Sequence, residues 1–224
     1  RELTIRVNGI GTQWHDEDIA AASQAGPHGI VVPKVNTADE VRQLVAAMEA
    51  AGAPEHTKLW AMIETPAAIF NIREIAQASD RLVAFVMGTN DLVKELQADH
   101  VPGRAPLLTS LSWALLAARE AGIAVLDGVY NAVKDLEGFT AECEQGRDMG
   151  FDGKTLIHPG QVEVCNSTFA PSEAAVEEAK GVLQAWEDGA GKGVVTHNGK
   201  MIENLHVDIA RRVLATHEAI AARG

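Results

Sequence analysis

Only two cysteines occur in the 224-residue chain, Cys143 and Cys165, with neither a C-x-x-C spacing nor flanking metal-ligand residues. A disulfide framework and a structural zinc are therefore poor explanations for its folding, and a cytoplasmic, reducing setting suits both thiols. Long hydrophobic runs are missing too. The longest apolar stretch, around Leu82 to Met87, falls far short of the roughly 20 residues of a membrane span. The opening residues carry no charged-then-apolar signal pattern, so a soluble chain with no membrane partner is expected. Basic residues are in deficit, with 19 Lys and Arg against 31 Asp and Glu and a formal net charge of -12. That field repels nucleic acid, and a phosphate-bearing ligand would need a local Arg or Lys cluster. The eight histidines show no H-x-x-x-H spacing, which disfavours zinc.

With 46% hydrophobic and 22% charged residues, the chain can bury one large α/β core. Short β-branched runs alternate with longer helical patterns, the arrangement of parallel strands joined by helical crossovers. Strands are expected over Leu3–Val7, Gly29–Val35, Lys58–Glu64, Arg81–Gly88, Ile123–Val129 and Gly153–His158. Thr37 with Glu40 forms a capping-box pattern, Thr65-Pro66 starts a second helix and Ser172 a third, while Gly122 and Gly150 stand where helices should end.

A polar residue stands at or near the carboxyl end of each strand: Arg6, Lys34, Glu64, Asp91, Asp127 and His158, at spacings of 28, 30, 27, 36 and 31 residues. Each interval approximates one β/α unit, and a β/α barrel carries its chemistry at that rim. A doubly wound sheet would alternate similarly, but the glycine-rich phosphate turn that usually follows its first strand is not visible. The expected fold is therefore an α/β (β/α)8 TIM barrel. Six units are read where a closed barrel has eight. The chain begins at Arg1 rather than Met and enters a strand pattern at once, so the first β/α units are expected to be absent from this sequence. Residues 1–171 are read as the partial barrel and residues 172–224 as a C-terminal helical lid. That second part holds a long helix through Trp186, a glycine-rich stretch from Gly189 to Lys200 with an Asn198-Gly199 turn, and a last helix from about Ile202.

Glu64 and Asp91, on neighbouring strands, could share one hard cation, since Mg2+ takes one or two carboxylates and completes its shell with water and substrate oxygens. The same acids could instead be helix N-terminal residues favoured by the dipole. Arg6 could grip a carboxylate or a developing enolate, or make a rim salt bridge. Lys34 occupies a position suited to a Schiff-base nucleophile, although an ion pair with a rim acid is the simpler reading. For His158 and Asp127 the structural readings, a hydrogen-bonding turn residue and a turn start, are preferred to catalysis.

In order, Arg6-Val-Asn-Gly9, Val32-Pro-Lys-Val35, Ile63-Glu-Thr-Pro66, Gly88-Thr-Asn-Asp91, Asp127-Gly128, the Gly153–Gln161 segment, Phe169-Ala-Pro-Ser-Glu173 and Gly199-Lys-Met-Ile-Glu203 resemble the citrate lyase beta-subunit and malyl-CoA/citramalyl-CoA lyase family of the HpcH/HpaI aldolase superfamily. The resemblance covers essentially the whole chain. It implies that Glu64 and Asp91 bind Mg2+, with Mn2+ an alternative, and that Arg6 contacts the substrate. Coenzyme A enters as part of that substrate. The implied reaction is cleavage or condensation of a 3-hydroxyacyl-CoA such as malyl-, citramalyl- or citryl-CoA, giving an acyl-CoA and a 2-oxo acid. A homotrimer or hexamer in which lids exchange between neighbours is also implied. Where the family usually carries a lid aspartate as acid or base, this chain has Glu203. That departure leaves room for an acyl-CoA thioesterase of the same family or a noncatalytic acyl-carrier-binding subunit. A Schiff-base aldolase using Lys34 is the remaining alternative.

Overall fold

The computed structural model describes residues 2–189 and 193–223; residues 190–192 of the glycine-rich stretch lie outside the described residues. The chain divides into two compact units, Arg1–Cys165 and Asn166–Gly224.

In the first unit six strands form one parallel sheet: β1 (Thr4–Arg6), β2 (Gly29–Val32), β3 (Lys58–Ile63), β4 (Leu82–Met87), β5 (Ala124–Asp127) and β6 (Gly153–Lys154). Their spatial order is their sequence order. A doubly wound sheet reverses direction at a switch point; this one runs on in a single sense, as a β/α barrel does. All six expected strands are present, each ending earlier than the apolar run suggested. β2 stops at Val32 because Pro33 has no N–H to donate and Lys34 is left-handed, with φ 54°.

Between the strands run α1 (His15–Ala25), α2 (Ala38–Ala50), α3 (Pro66–Phe70), α4 (Ile72–Ala76), α5 (Thr89–Glu95), α6 (Leu108–Ala121) and α7 (Leu136–Met149). Their boundaries follow local chemistry. Thr37 and Glu40 make a complete capping box on α2, and Thr65 caps α3 with Pro66 at its first position. Such a cap contributes about 1 kcal/mol. α6 and α7 end at Gly122 and Gly150, both in the left-handed region that glycine tolerates. The four residues of β2 are all buried, as in a parallel strand covered on both faces. Ile30, Leu59, Ile63, Phe85 and Val125 from the sheet, Leu44 and Met48 from α2, and Leu111 from α6 are sealed in the core.

The division into units falls within α8 (Val162–Phe169). In the second unit α9 (Glu173–Asp188), capped by Ser172, packs against α10 (Asn204–Ala221). Between them β7 (Val195–His197) and β8 (Lys200–Ile202) form an antiparallel hairpin. Asn198 and Gly199 both have positive φ, as a two-residue turn of this kind requires. Ala179, Val182, Ile202, Val207 and Ala210 form this unit's own core, flanked by Leu183, Trp186 and Leu214. Among the described residues no helix is long and apolar enough to cross a membrane.

Candidate active site

Four of the residues singled out from the sequence gather beyond the carboxyl ends of β1 to β4. Arg6 is the last residue of β1 and is exposed. Glu64 directly follows β3 and is 3% exposed. Asp91 sits in the first turn of α5, just past β4. Lys34, two residues beyond β2, ties the two acids together. Its backbone N–H donates to Glu64 Oε1 at 2.9 Å, and its ammonium Nζ lies 3.1 Å from Asp91 Oδ1. Holding a non-glycine residue in the left-handed region costs of order 1–3 kcal/mol. Here that conformation aims the Lys34 N–H at Glu64.

The electrostatics follow from this geometry. Burial pushes the Glu64 carboxyl above its usual range and the negative charge of Asp91 pushes it further, against the hydrogen bond and charge of Lys34 and the charge of Arg6. The Lys34 ammonium is held above its usual value, first by its hydrogen bond to Asp91 and then by that acid's charge. Glu64 is thus a buried carboxylate facing a second one, an arrangement that an added cation would relieve. Gly88 shapes the space around it, since a Cβ there would collide with the carboxylate and Cβ of Glu64. Among the described residues no three His, Cys, Asp or Glu side chains gather to hold a metal. Two carboxylates with the remaining positions left to water and substrate oxygens match the habit of Mg2+ rather than that of a structural zinc. The donor set therefore fits the magnesium that the sequence led us to expect. The helix-dipole alternative describes Asp91 in the first turn of α5, and Glu64, which accepts from the Lys34 N–H, also lies against Gly88 at the start of that helix.

Asn36 was not singled out from the sequence, yet it braces this corner. Its side chain donates to the Lys34 carbonyl at 2.8 Å and accepts from the Thr65 hydroxyl, while its own carbonyl accepts from Asn71 at 2.9 Å.

Asp127 and His158 make their contacts elsewhere in the first unit. Asp127 is fully buried at the end of β5, where both its oxygens accept from Arg104 Nη1 at 2.7 Å and Oδ2 accepts from Lys154 Nζ at 3.0 Å. Lys154 also reaches Glu142 at 2.6 Å. This buried charge network was not foreseen. His158 is not at a strand end, because β6 stops at Lys154. Its Nδ1 accepts from the Gly160 N–H at 3.0 Å and caps the short 3-10 turn Pro159–Gln161, which uses the ring as a turn-former. Glu203, in the second unit, is the N-cap of α10 in a reciprocal pair with His206, whose Nδ1 accepts from the Glu203 N–H at 3.0 Å.

A sequentially ordered parallel sheet with charged side chains collected past its strand ends is the architecture of β/α-barrel enzymes. The family model described as HpcH/HpaI aldolase/citrate lyase matches residues 1–159, and the chain belongs to that family. It is 50% identical over 222 residues to a (3S)-malyl-CoA thioesterase of Cereibacter sphaeroides, covering 98% of this chain and 75% of that protein. To the citrate lyase subunit beta of Escherichia coli it is 36% identical, covering 99% and 76%. Among solved structures, protein CitE of Mycobacterium tuberculosis in complex with magnesium, acetoacetate and coenzyme A matches with TM-score 0.79 and 27% identity, over 96% of this chain and 78% of that one.

Proposed function

We propose that this protein is a Mg2+-dependent enzyme acting on the coenzyme A thioester of a 3-hydroxy acid, and that its first reaction is hydrolysis of a malyl-CoA-like thioester. The observation that carries the metal-dependent reading is the buried Glu64 carboxylate set against Asp91 beyond adjacent parallel strands, with Arg6 and Lys34 around them. The malyl-CoA thioesterase relative, half identical over nearly the whole chain, supports hydrolysis as the first reading. Glu64 and Asp91 would hold the metal, which when bound supplies Lewis-acid polarisation of a substrate oxygen, an effect worth several kcal/mol. Arg6 would grip the free carboxylate of the substrate through its planar donor fork. Water adds to the thioester carbonyl, the C–S bond breaks, and the products are the free hydroxy acid and the thiol of coenzyme A. Glu203 is the candidate proton carrier. Residues 172–224 would serve as the lid that delivers it, and residues 1–171 as part of a closed (β/α)8 barrel whose first units lie outside this sequence. A trimer or hexamer with exchanged lids, working in the cytoplasm, completes the reading.

Carbon–carbon cleavage is the second reading, favoured by the citrate lyase subunit beta relative. In it the 3-hydroxyl loses its proton and becomes the carbonyl of a 2-oxo acid, the adjacent carbon–carbon bond breaks, and the acyl-CoA carbon takes up a proton. One assay separates the two. With malyl-CoA and Mg2+, hydrolysis releases free thiol and malate, whereas cleavage releases glyoxylate and acetyl-CoA without free thiol. Full turnover of either kind in EDTA would remove the metal mechanism. Borohydride trapping of a keto-acid adduct on Lys34 would replace it with Schiff-base chemistry.

A further inference from the structure

Lys34 does two separable things in the candidate site. Its main chain, held left-handed at φ 54° directly after Pro33, presents an N–H to Glu64 Oε1. Its side chain places an ammonium 3.1 Å from Asp91 Oδ1, and both partners of that pair are substantially exposed, at 50% and 37%. The main-chain contact is fixed by the fold. The ion pair is not, because an exposed pair of long side chains is weakly held and readily exchanged. A divalent ion seeking Asp91 Oδ1 would meet an exposed ion pair that exchanges readily.

We infer that Lys34 is a positioning residue that stands in for the metal: its N–H orients Glu64, its ammonium neutralises Asp91 while the site is metal-free, and a divalent cation enters by displacing that ammonium. The inference rests on the two-carboxylate metal reading above and deepens it. Lys34 thereby sets the metal concentration at which the site fills. Without it, Glu64 and Asp91 would repel each other in the metal-free protein. With it, the site carries a built-in competitor for every entering cation.

The test is calorimetric titration of the purified full-length protein with MgCl2, paired with thermal unfolding with and without Mg2+. Lys34→Met removes the ammonium but keeps the N–H. Removing one positive charge a few ångströms from a dication should tighten Mg2+ binding about tenfold. It should also enlarge the Mg2+-induced rise in Tm, since tighter binding to the folded state stabilises it more. Lys34→Arg should keep the wild-type affinity, and Lys34→Gln carries the same expectation as Met should the Met variant not fold. An affinity and a Tm rise in the neutral variants equal to wild type, or weaker Mg2+ binding, would overturn the displacement role while leaving the metal site standing. Absence of Mg2+ binding in the wild type, or binding that survives Glu64→Gln with Asp91→Asn, would overturn both.

Discussion

Asp127→Asn probes the buried charge network that holds the ends of β5 and β6 together. In the wild type the Asp127 carboxylate is fully enclosed and answers two cations, Arg104 and Lys154, whose side chains are 4% and 0% exposed. It also accepts the Gly128 N–H at 2.8 Å. Asparagine keeps the shape and one acceptor but removes the negative charge and turns an amide toward the cations. Among the described residues Glu142 is then the acid left to offset them, 2.6 Å from Lys154 and 3.9 Å from Arg104. Removing one partner of a buried ion pair costs about 3–5 kcal/mol, against a total domain stability of about 5–15 kcal/mol.

With a urea dependence of about 2 kcal/mol per molar, a typical slope, the unfolding midpoint should fall by about 1.5–2.5 M. Trp14, Trp60 and Trp113 lie in the first unit and Trp186 in the second, so emission measured in a Trp186→Phe background reports the unit that contains the network. The combined variant Arg104→Met, Asp127→Leu, Glu142→Met, Lys154→Met provides the control. Exchanging a whole buried ionic cluster for apolar groups is often neutral or stabilising, so it should recover most of the lost midpoint. A fall of less than about 0.5 M for Asp127→Asn would show that water or rearrangement satisfies the cations and that the pairing does not stabilise the fold.

Tyr130 is the only tyrosine in the chain, so its ionisation can be followed without interference from another phenol. Its hydroxyl donates to Asp135 Oδ2 at 2.6 Å; that hydrogen bond, followed by burial and the carboxylate's charge, pushes it up to about 12. The folded state favours the neutral phenol, so this contribution is whole below pH 10 and is lost as pH rises through about 12. Absorbance at about 295 nm should titrate near that upper value and move back toward 10 in Asp135→Asn; a native midpoint already at 10 would refute the pairing. Glu203→Gln should slow turnover by about 10²–10⁴-fold if the carboxyl carries a proton, with Mg2+ affinity unchanged by calorimetry. Unchanged turnover would confine Glu203 to capping α10.

Local rules made much of the architecture legible. Thr37 with Glu40, Thr65 before Pro66, Ser172, Gly122 and Gly150 each work through neighbours within four residues, and each stands where its chemistry placed it. The order of polar strand ends likewise pointed to a rim of six residues, of which Arg6, Lys34, Glu64 and Asp91 gather around the two acids. What escaped was long-range: Arg104, Glu142 and Lys154 meet Asp127 or one another across separations of 23, 27 and 12 residues. No spacing rule links an arginine in a left-handed turn to a lysine on the last strand. The expected run of the sixth strand to His158 failed for a different reason, although the turn-former reading of that residue held. A strand pattern cannot tell where pairing stops, and β6 pairs through only Gly153 and Lys154 before the chain turns.

The features that end the strands are also those that build the site. Pro33 removes a donor from the ladder, and Lys34, forced left-handed, swings a backbone N–H out of the sheet and onto Glu64. Gly88 ends β4 with its N–H still bonded to the Ile63 carbonyl at 3.0 Å, and its missing side chain leaves the space that the Glu64 carboxylate fills. A larger residue at Gly88 would expel that carboxylate; a right-handed backbone at Lys34 would no longer aim its N–H there. A buried acid beside a second acid lowers the stability of the fold that contains it, and proteins keep such strain where the surroundings over-determine it and function uses it. At this corner the surroundings are two strand ends and one lysine, and the charge they leave incompletely balanced is the opposite of what a hard divalent cation carries.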